Sequence, residues 1–239
     1  MPLTHENSAM QTPSIDLNCR ADAAAYAVLR RLAAAIRHQM AGNFQPVTML
    51  ATVMEKRLLA ATVDLPALVK TSSDVKAMAT AATRSSLDLL GWIAPDLTAR
   101  VPLNSGIEEA LHLVATELSF RGFKCDNQTE GMATQVALNH VRSVFVTALL
   151  ALTDEAQSPA SLRLTAQNQA DCVAVKLALV PFGVDMPSGA EQQHDVFQPT
   201  VTPYRKIDWQ DVQAIAALNA VPIERSGAAV LLRIPNALG

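Results

Sequence analysis

His38 stands in the stretch RHQMAGNFQPVTML, Arg37 to Leu50, with Gln39 beside it, Gly42 and Asn43 about a turn further on and Pro46 beyond. An imidazole can pack, bind or react. The remaining histidines are His5, His112, His140 and His194; His112 and His140 fall on predicted helices and His5 and His194 in predicted loops. No two histidines or cysteines have the spacing of metal ligands. There is no Gly-x-Ser-x-Gly elbow, and no cysteine has a local histidine partner motif. The other histidines are weaker candidates for chemistry than His38, and surface or packing roles suit them better. Arg30, Arg31 and Arg37 lie just upstream; they read either as solvated helix surface or as cations placed to meet an acidic pocket on a partner.

The elements that must position these residues follow from periodicity. With Ile36 as reference, Leu29, Leu32, Met40, Val47, Leu50, Met54 and Leu58 fall within about 40° of one line at 100° per residue. A helix of roughly 40 residues would be about 60 Å long, too long for a small core to bury, and it needs a partner helix. The break around Asp64-Leu65-Pro66 and Thr71-Ser72-Ser73, followed by Val75, Met78, Ala82, Leu89 and Trp92 at helical spacing, predicts that partner over Asp74–Ile93. A two-helix hairpin leaves much of such a stripe exposed, so two copies are expected to pair into a four-helix bundle. His38 lies about 200° round from the stripe, pointing outward. Pro46 removes a hydrogen bond and presses on the Gly42 carbonyl, so the sequence encodes a local bend just past the histidine.

After Pro95 helices and short strands alternate. Ser105 with Glu108 predicts a capping box for a helix to Arg121. A strand is predicted at Gly122–Cys125, a helix over Met132–Leu152, strands at Ala160–Ala166 and Cys172–Val180, a loop over Pro181–Thr202, a helix over Asp208–Asn219, and strands at Val221–Glu224 and Ala228–Ile234. The expected fold class is α+β, divided into a flexible arm (1–21), a helical hairpin (22–95) and a second domain (96–239) with helices on one face of a mixed sheet.

Composition limits the function. Half of the 239 residues are hydrophobic but only 4% are aromatic, and the formal charge is −3 without a basic cluster. That gives no electrostatic footprint for nucleic acid. No apolar run approaches the roughly 20 residues of a membrane span. The start lacks a secretory pattern, and Cys19, Cys125 and Cys172 are widely spaced, so a reducing, cytoplasmic setting is expected.

The order of long hairpin, helix, strand, helix, two strands, loop, helix and terminal hairpin ending in Ile234-Pro235 resembles the core of bacterial sensor histidine kinases over about residues 22 to 236. VPLNSGIEEALHLVATELSFRGFKC is similar to the opening of that family's ATP-binding domain, and DVQAIAALNAVPIERSGAAVLLRIP to its close. The resemblance implies that His38 is the phosphoacceptor. It also implies an asparagine for magnesium, an Asp-x-Gly-x-Gly turn for adenine and a glycine-rich lid for phosphate. This chain departs from all three. Ala151 stands at the asparagine position, the turn reads VPFGV, and between Gly189 and Gly227 there is no glycine. Neither ATP nor magnesium is expected to bind; under a shifted alignment Asp154, Glu155 and Asp185 would be the spare carboxylates. Gln39 replaces the acid that helps deprotonate the histidine during attack on ATP.

A kinase-like dimer with a degenerate nucleotide domain resembles the dedicated histidine phosphotransferases. The expected function is a homodimeric phosphotransferase in a two-component relay. His38 would exchange phosphoryl with receiver-domain aspartates, the receiver supplying the metal, and Gln39 and Asn43 would flank the histidine. The alternatives are a pseudokinase that sequesters a receiver or kinase, and an active ATP-dependent kinase.

Overall fold

The computed structural model describes residues 12–182 and 204–237. Most of the predicted loop, with Asp185, Gly189 and His194, lies outside the described residues, as does His5. The chain divides into a helical unit, Leu32–Asp96, and an α/β unit made of the residues up to Arg31 together with those from Leu97 onward.

The first helix, α1 (Thr12–Leu58), is unbroken through Gly42 and Pro46. It begins well before residue 22, so residues 12 to 21, expected in a flexible arm, are helical. Ala21, Ala24, Ala27 and Val28 are buried, and this packing anchors a helix that extends back through the exposed residues 16–19.

In the helical unit α2 (Leu65–Leu90) returns beside the second half of α1. Asp64 caps it, its Oδ1 accepting from the Ala67 N–H at 3.1 Å, with Pro66 in the first turn, where no intrahelical N–H is needed. The expected break at Thr71–Ser73 is absent. Thr71 sits inside the helix, donating its hydroxyl to the Ala67 carbonyl at 2.8 Å and accepting from Arg57 Nη1 at 2.6 Å. A hydroxyl that can satisfy itself on the preceding turn does not have to end a helix.

The α/β unit is built on a five-stranded mixed sheet ordered β2-β4-β5-β7-β6, comprising β2 (Lys124–Gln128), β4 (Ser161–Asn168), β5 (Cys172–Val180), β6 (Ile223–Ser226) and β7 (Ala229–Pro235). Only β2 and β4 run parallel. A small antiparallel pair, β1 (Arg100–Pro102) with β3 (Gln135–Ala137), forms a second sheet, tied to the end of β7 by a bridge between Val136 and Asn236. Residues 135–137 were expected to be helical. Instead α4 starts at Leu138 (Leu138–His140) and runs through a π-helical turn, Val141–Phe145, into α5 (Val146–Asp154). Around this wider turn, hydroxyls supply extra hydrogen bonds: Ser143 Oγ donates to the Asn139 carbonyl and Thr147 Oγ1 to the Ser143 carbonyl, at 2.5 and 2.6 Å.

The expected Ser105 capping box is also absent, because α3 (Leu103–Phe120) begins earlier, straight after Pro102. Its first amides are satisfied elsewhere: Leu103 N–H donates to the Thr134 carbonyl and Asn104 N–H to the Met132 carbonyl. The last helix, α6 (Trp209–Leu218), does carry a capping box, made by Asp208 and Asp211. The core is the inner face of the sheet, Leu162, Leu164, Val175, Leu177, Leu232 and Ile234, against Ile107, Phe145, Leu149 and Val212, all fully buried.

Candidate functional site: a histidine on the helical hairpin

His38 is exposed on α1 in the helical unit. Ala34, Ala41, Gly42 and Gln45 share its helix face at three- and four-residue spacing. A Cβ added at Gly42 would meet nothing within 4 Å, so no packing within the chain requires glycine there. On this face the imidazole is exposed, with the short Ala34, Ala41 and Gly42 as its nearest neighbours at three- and four-residue spacing.

Gln39 is half-buried. As a neutral amide it can donate and accept hydrogen bonds but cannot serve as a proton acceptor in catalysis. Asn43 faces the seam of the hairpin, its Nδ2 donating to Ser85 Oγ at 2.8 Å. That turns it about 140° away from His38 around the helix, and its amide is already engaged.

The three arginines separate. Arg37 is exposed in the helical unit. Arg30, also exposed, lies over the Tyr204 ring at 5.9 Å from its centroid. Arg31 corrects the expectation of a partner-facing cation: its side chain is only 2% exposed. It pairs with Glu117 and donates to Asp154 Oδ2 at 2.5 Å. Arg121 joins the same two carboxylates at 3.3 and 3.0 Å, so two cations balance two anions in a buried cluster.

In the α/β unit the position expected to hold magnesium is Ala151, a buried methyl without a lone pair to offer. Of the spare carboxylates, the two within the described residues are engaged. Asp154 takes Arg31, Arg121 and the Ile207 N–H at 2.9 Å, and Glu155 pairs with Arg225. The start of α6 is also taken. A helix N-terminus with free amides attracts phosphate. Here Asp208 Oδ1 accepts from Asp211 N–H and Asp211 Oδ2 from Asp208 N–H, at 3.0 and 3.1 Å, and both carboxylates meet Arg20. Burial pulls the Asp208 pKa up, but the Arg20 guanidinium and the backbone amides of Asp211 and Gln210 outweigh it and hold the carboxyl below its usual range. An anion arriving at this terminus would meet two carboxylates.

Among the described residues no cluster of three or more histidine, cysteine or acidic side chains could hold a metal ion, and no helix is long and apolar enough to cross a membrane. His140 is half-buried with an unpartnered Nδ1. Burial and then Arg100 push its pKa down, favouring the neutral ring.

No protein-family model matches the chain, and no curated protein matches it. Solved structures do. The catalytic domain of the histidine kinase ThkA is 14% identical, covering 58% of this chain and 95% of its own, at a TM-score of 0.41. A bacterial phosphotransferase is 13% identical over 87% of this chain and 95% of its own, at 0.35. ThkA in complex with the response regulator TrrA is 12% identical over 97% of this chain and 68% of its own, at 0.37. Likeness at this level transfers no residue role. Sequence reasoning missed Glu117, Arg121 and Asp154 as partners of Arg31, and Asp208 and Asp211 as partners of Arg20; the available signal was a pair of arginines on the alanine-rich side of α1.

Proposed function

We propose that this chain is a histidine phosphotransferase of a two-component phosphorelay, working as a homodimer and passing phosphoryl groups between receiver-domain aspartates through His38. The observation that carries this reading is an exposed imidazole on a hairpin helix, next to alanines and a glycine on its own face. At the positions where the kinase resemblance would put nucleotide contacts, Ala151 is a buried alanine, and Asp154 and Glu155 are committed to arginines.

The step is an in-line displacement. An imidazole nitrogen of His38 attacks the phosphorus of an aspartyl phosphate, the bond from phosphorus to the aspartate oxygen breaks, and the carboxylate departs with its electron pair. The ring's other N–H proton is free to leave to solvent, and the reverse reaction loads the next receiver. Positioning and charge neutralisation account for most of the acceleration in phosphoryl transfer, and the divalent ion belongs to the receiver. A kinase's need for a base beside the histidine therefore falls away, which fits Gln39. Arg37 is the cation left to meet an acidic receiver surface.

Dimerisation is supported by the side chains the hairpin leaves uncovered. On α2 Leu65, Val69 and Leu87 are each 63% exposed or more, and with Leu90 they line one helix face. A second copy would cover that face in a four-helix bundle.

The test is transfer from a pre-phosphorylated receiver to the purified protein on phosphate-affinity gels, with wild type beside His38→Ala. Label on wild type alone supports the relay. Normal receiver binding without label on either protein would replace it with the sequestering pseudokinase.

A further inference from the structure

The first helix contributes more to the α/β unit than a connection. Ala21, Ala24, Ala27 and Val28 give residues 16–31 a buried face of small side chains, which allows close approach between helices. Two separate charged clamps flank it. At one end Arg20 meets Asp208 with two hydrogen bonds of 2.7 and 2.8 Å and Asp211 at 3.1 Å, while Arg205 holds the other side of Asp211, whose side chain is fully buried. At the other end Arg31 joins Glu117 of α3 to Asp154 of α5. Between them Arg30 stacks over Tyr204, and Asp154 also accepts from the Ile207 amide.

We propose that residues 16–31 are an intramolecular strap that ties α3, α5, the segment Tyr204–Asp208 and the start of α6 into one fixed arrangement. A domain that binds and releases a nucleotide must let the elements around the ligand shift. Here α3, α5, the segment Tyr204–Asp208 and the start of α6 are cross-tied by a fourth helix through charged side chains, buried at Arg31, Asp154 and Asp211 and partly exposed at Arg20 and Asp208. The α/β unit is then a fixed platform, stabilised by a piece of its own chain. The pairing of Arg31 with Glu117 through both Nε and Nη2 suits this role because it fixes orientation as well as distance. The inference is independent of whether His38 carries phosphate.

Hydrogen exchange read by mass spectrometry on the full chain tests it, comparing wild type with Arg20→Ala, Arg20→Lys and Arg31→Ala. In wild type, amides of residues 20–31 should be protected to the level of α3 and α5. Arg20→Ala should speed exchange about tenfold in residues 20–31 and across 204–215, leaving α2 unchanged, with Arg20→Lys in between. Arg31→Ala should extend the loss to α3 and α5. If Arg31→Ala fails to fold, the partly exposed Arg20 pair still decides the matter. Fast exchange of residues 20–31 in wild type would overturn the strap. So would an Arg20→Ala effect confined to the turn around residue 20.

Discussion

Asn43 and Ser85 join the two helices of the hairpin at 2.8 Å, Nδ2 to Oγ. Arg57 and Thr71 repeat the link 14 residues further along α1 and 14 residues back along α2. One antiparallel register satisfies both bridges, and sliding either helix by a turn would break both. A polar pair in an otherwise apolar seam specifies alignment more than it adds stability.

Asn43→Ala and Ser85→Ala should therefore each lower stability by about 1 kcal/mol. The double variant should lose little more than either single one, because both remove the same bond. Denaturant unfolding of the set measures this. Phosphoryl transfer in Asn43→Ala should stay within about twofold of wild type, since the amide faces the seam and not His38; an abolished transfer at unchanged stability would place Asn43 in the reacting site.

Arg31 and Arg37 should fail in opposite ways. Arg31→Ala leaves Asp154 and Glu117 sharing one cation in a buried cluster, and losing one partner of such a pair costs roughly 3 kcal/mol or more. Arg37→Ala removes an exposed charge and should change stability by less than about 0.5 kcal/mol. In receiver binding the order reverses: Arg37→Glu should weaken association several-fold, most strongly at low salt. Thermal unfolding and a binding titration at two ionic strengths separate the two roles.

Much of this was legible in the sequence. The apolar stripe found the hairpin, and the alternation at Ala160–Ala166 and the one-faced apolar run Cys172–Val180 found the two central strands. Other features were not. The stripe marks one side of α1, whereas Arg31 lies on the other, where alanines look like neutral surface until a sheet-backed helix layer packs on them. Glu117 and Asp154 lie 86 and 123 residues from Arg31, beyond the reach of local spacing. The Ser105 capping box failed for a related reason, since long-range carbonyls at Met132 and Thr134 satisfied the helix start one turn earlier.

Asp208 gives the α/β unit an acid-sensitive contact. Its folded-state pKa lies below the unfolded value, so its contribution to stability is fully present above about pH 4 and is lost as pH falls through the lower folded value. Asp208→Asn should be less stable than wild type at pH 6, and the gap should narrow steadily below pH 4. Urea unfolding across that range is the measurement; a gap independent of pH would mean that the side chain acts only as a neutral cap.

Ala220 follows α6 with φ of 51°, a left-handed conformation that glycine adopts without the clash of a side chain. The geometry is that of a helix C-terminal cap: Val221 N–H returns to the Ala216 carbonyl and Ala220 N–H to that of Ala217. Ala220→Gly removes the Cβ clash but makes the unfolded chain more flexible, and the first effect should win at this angle. The expected gain is about 0.5 to 1 kcal/mol, read as a higher unfolding midpoint with an unchanged denaturant slope. Ala220→Val, which adds a branched carbon to the same strained position, should move the midpoint the other way. If both substitutions lower it equally, the turn's strain is relieved elsewhere and the left-handed residue is not a stability liability.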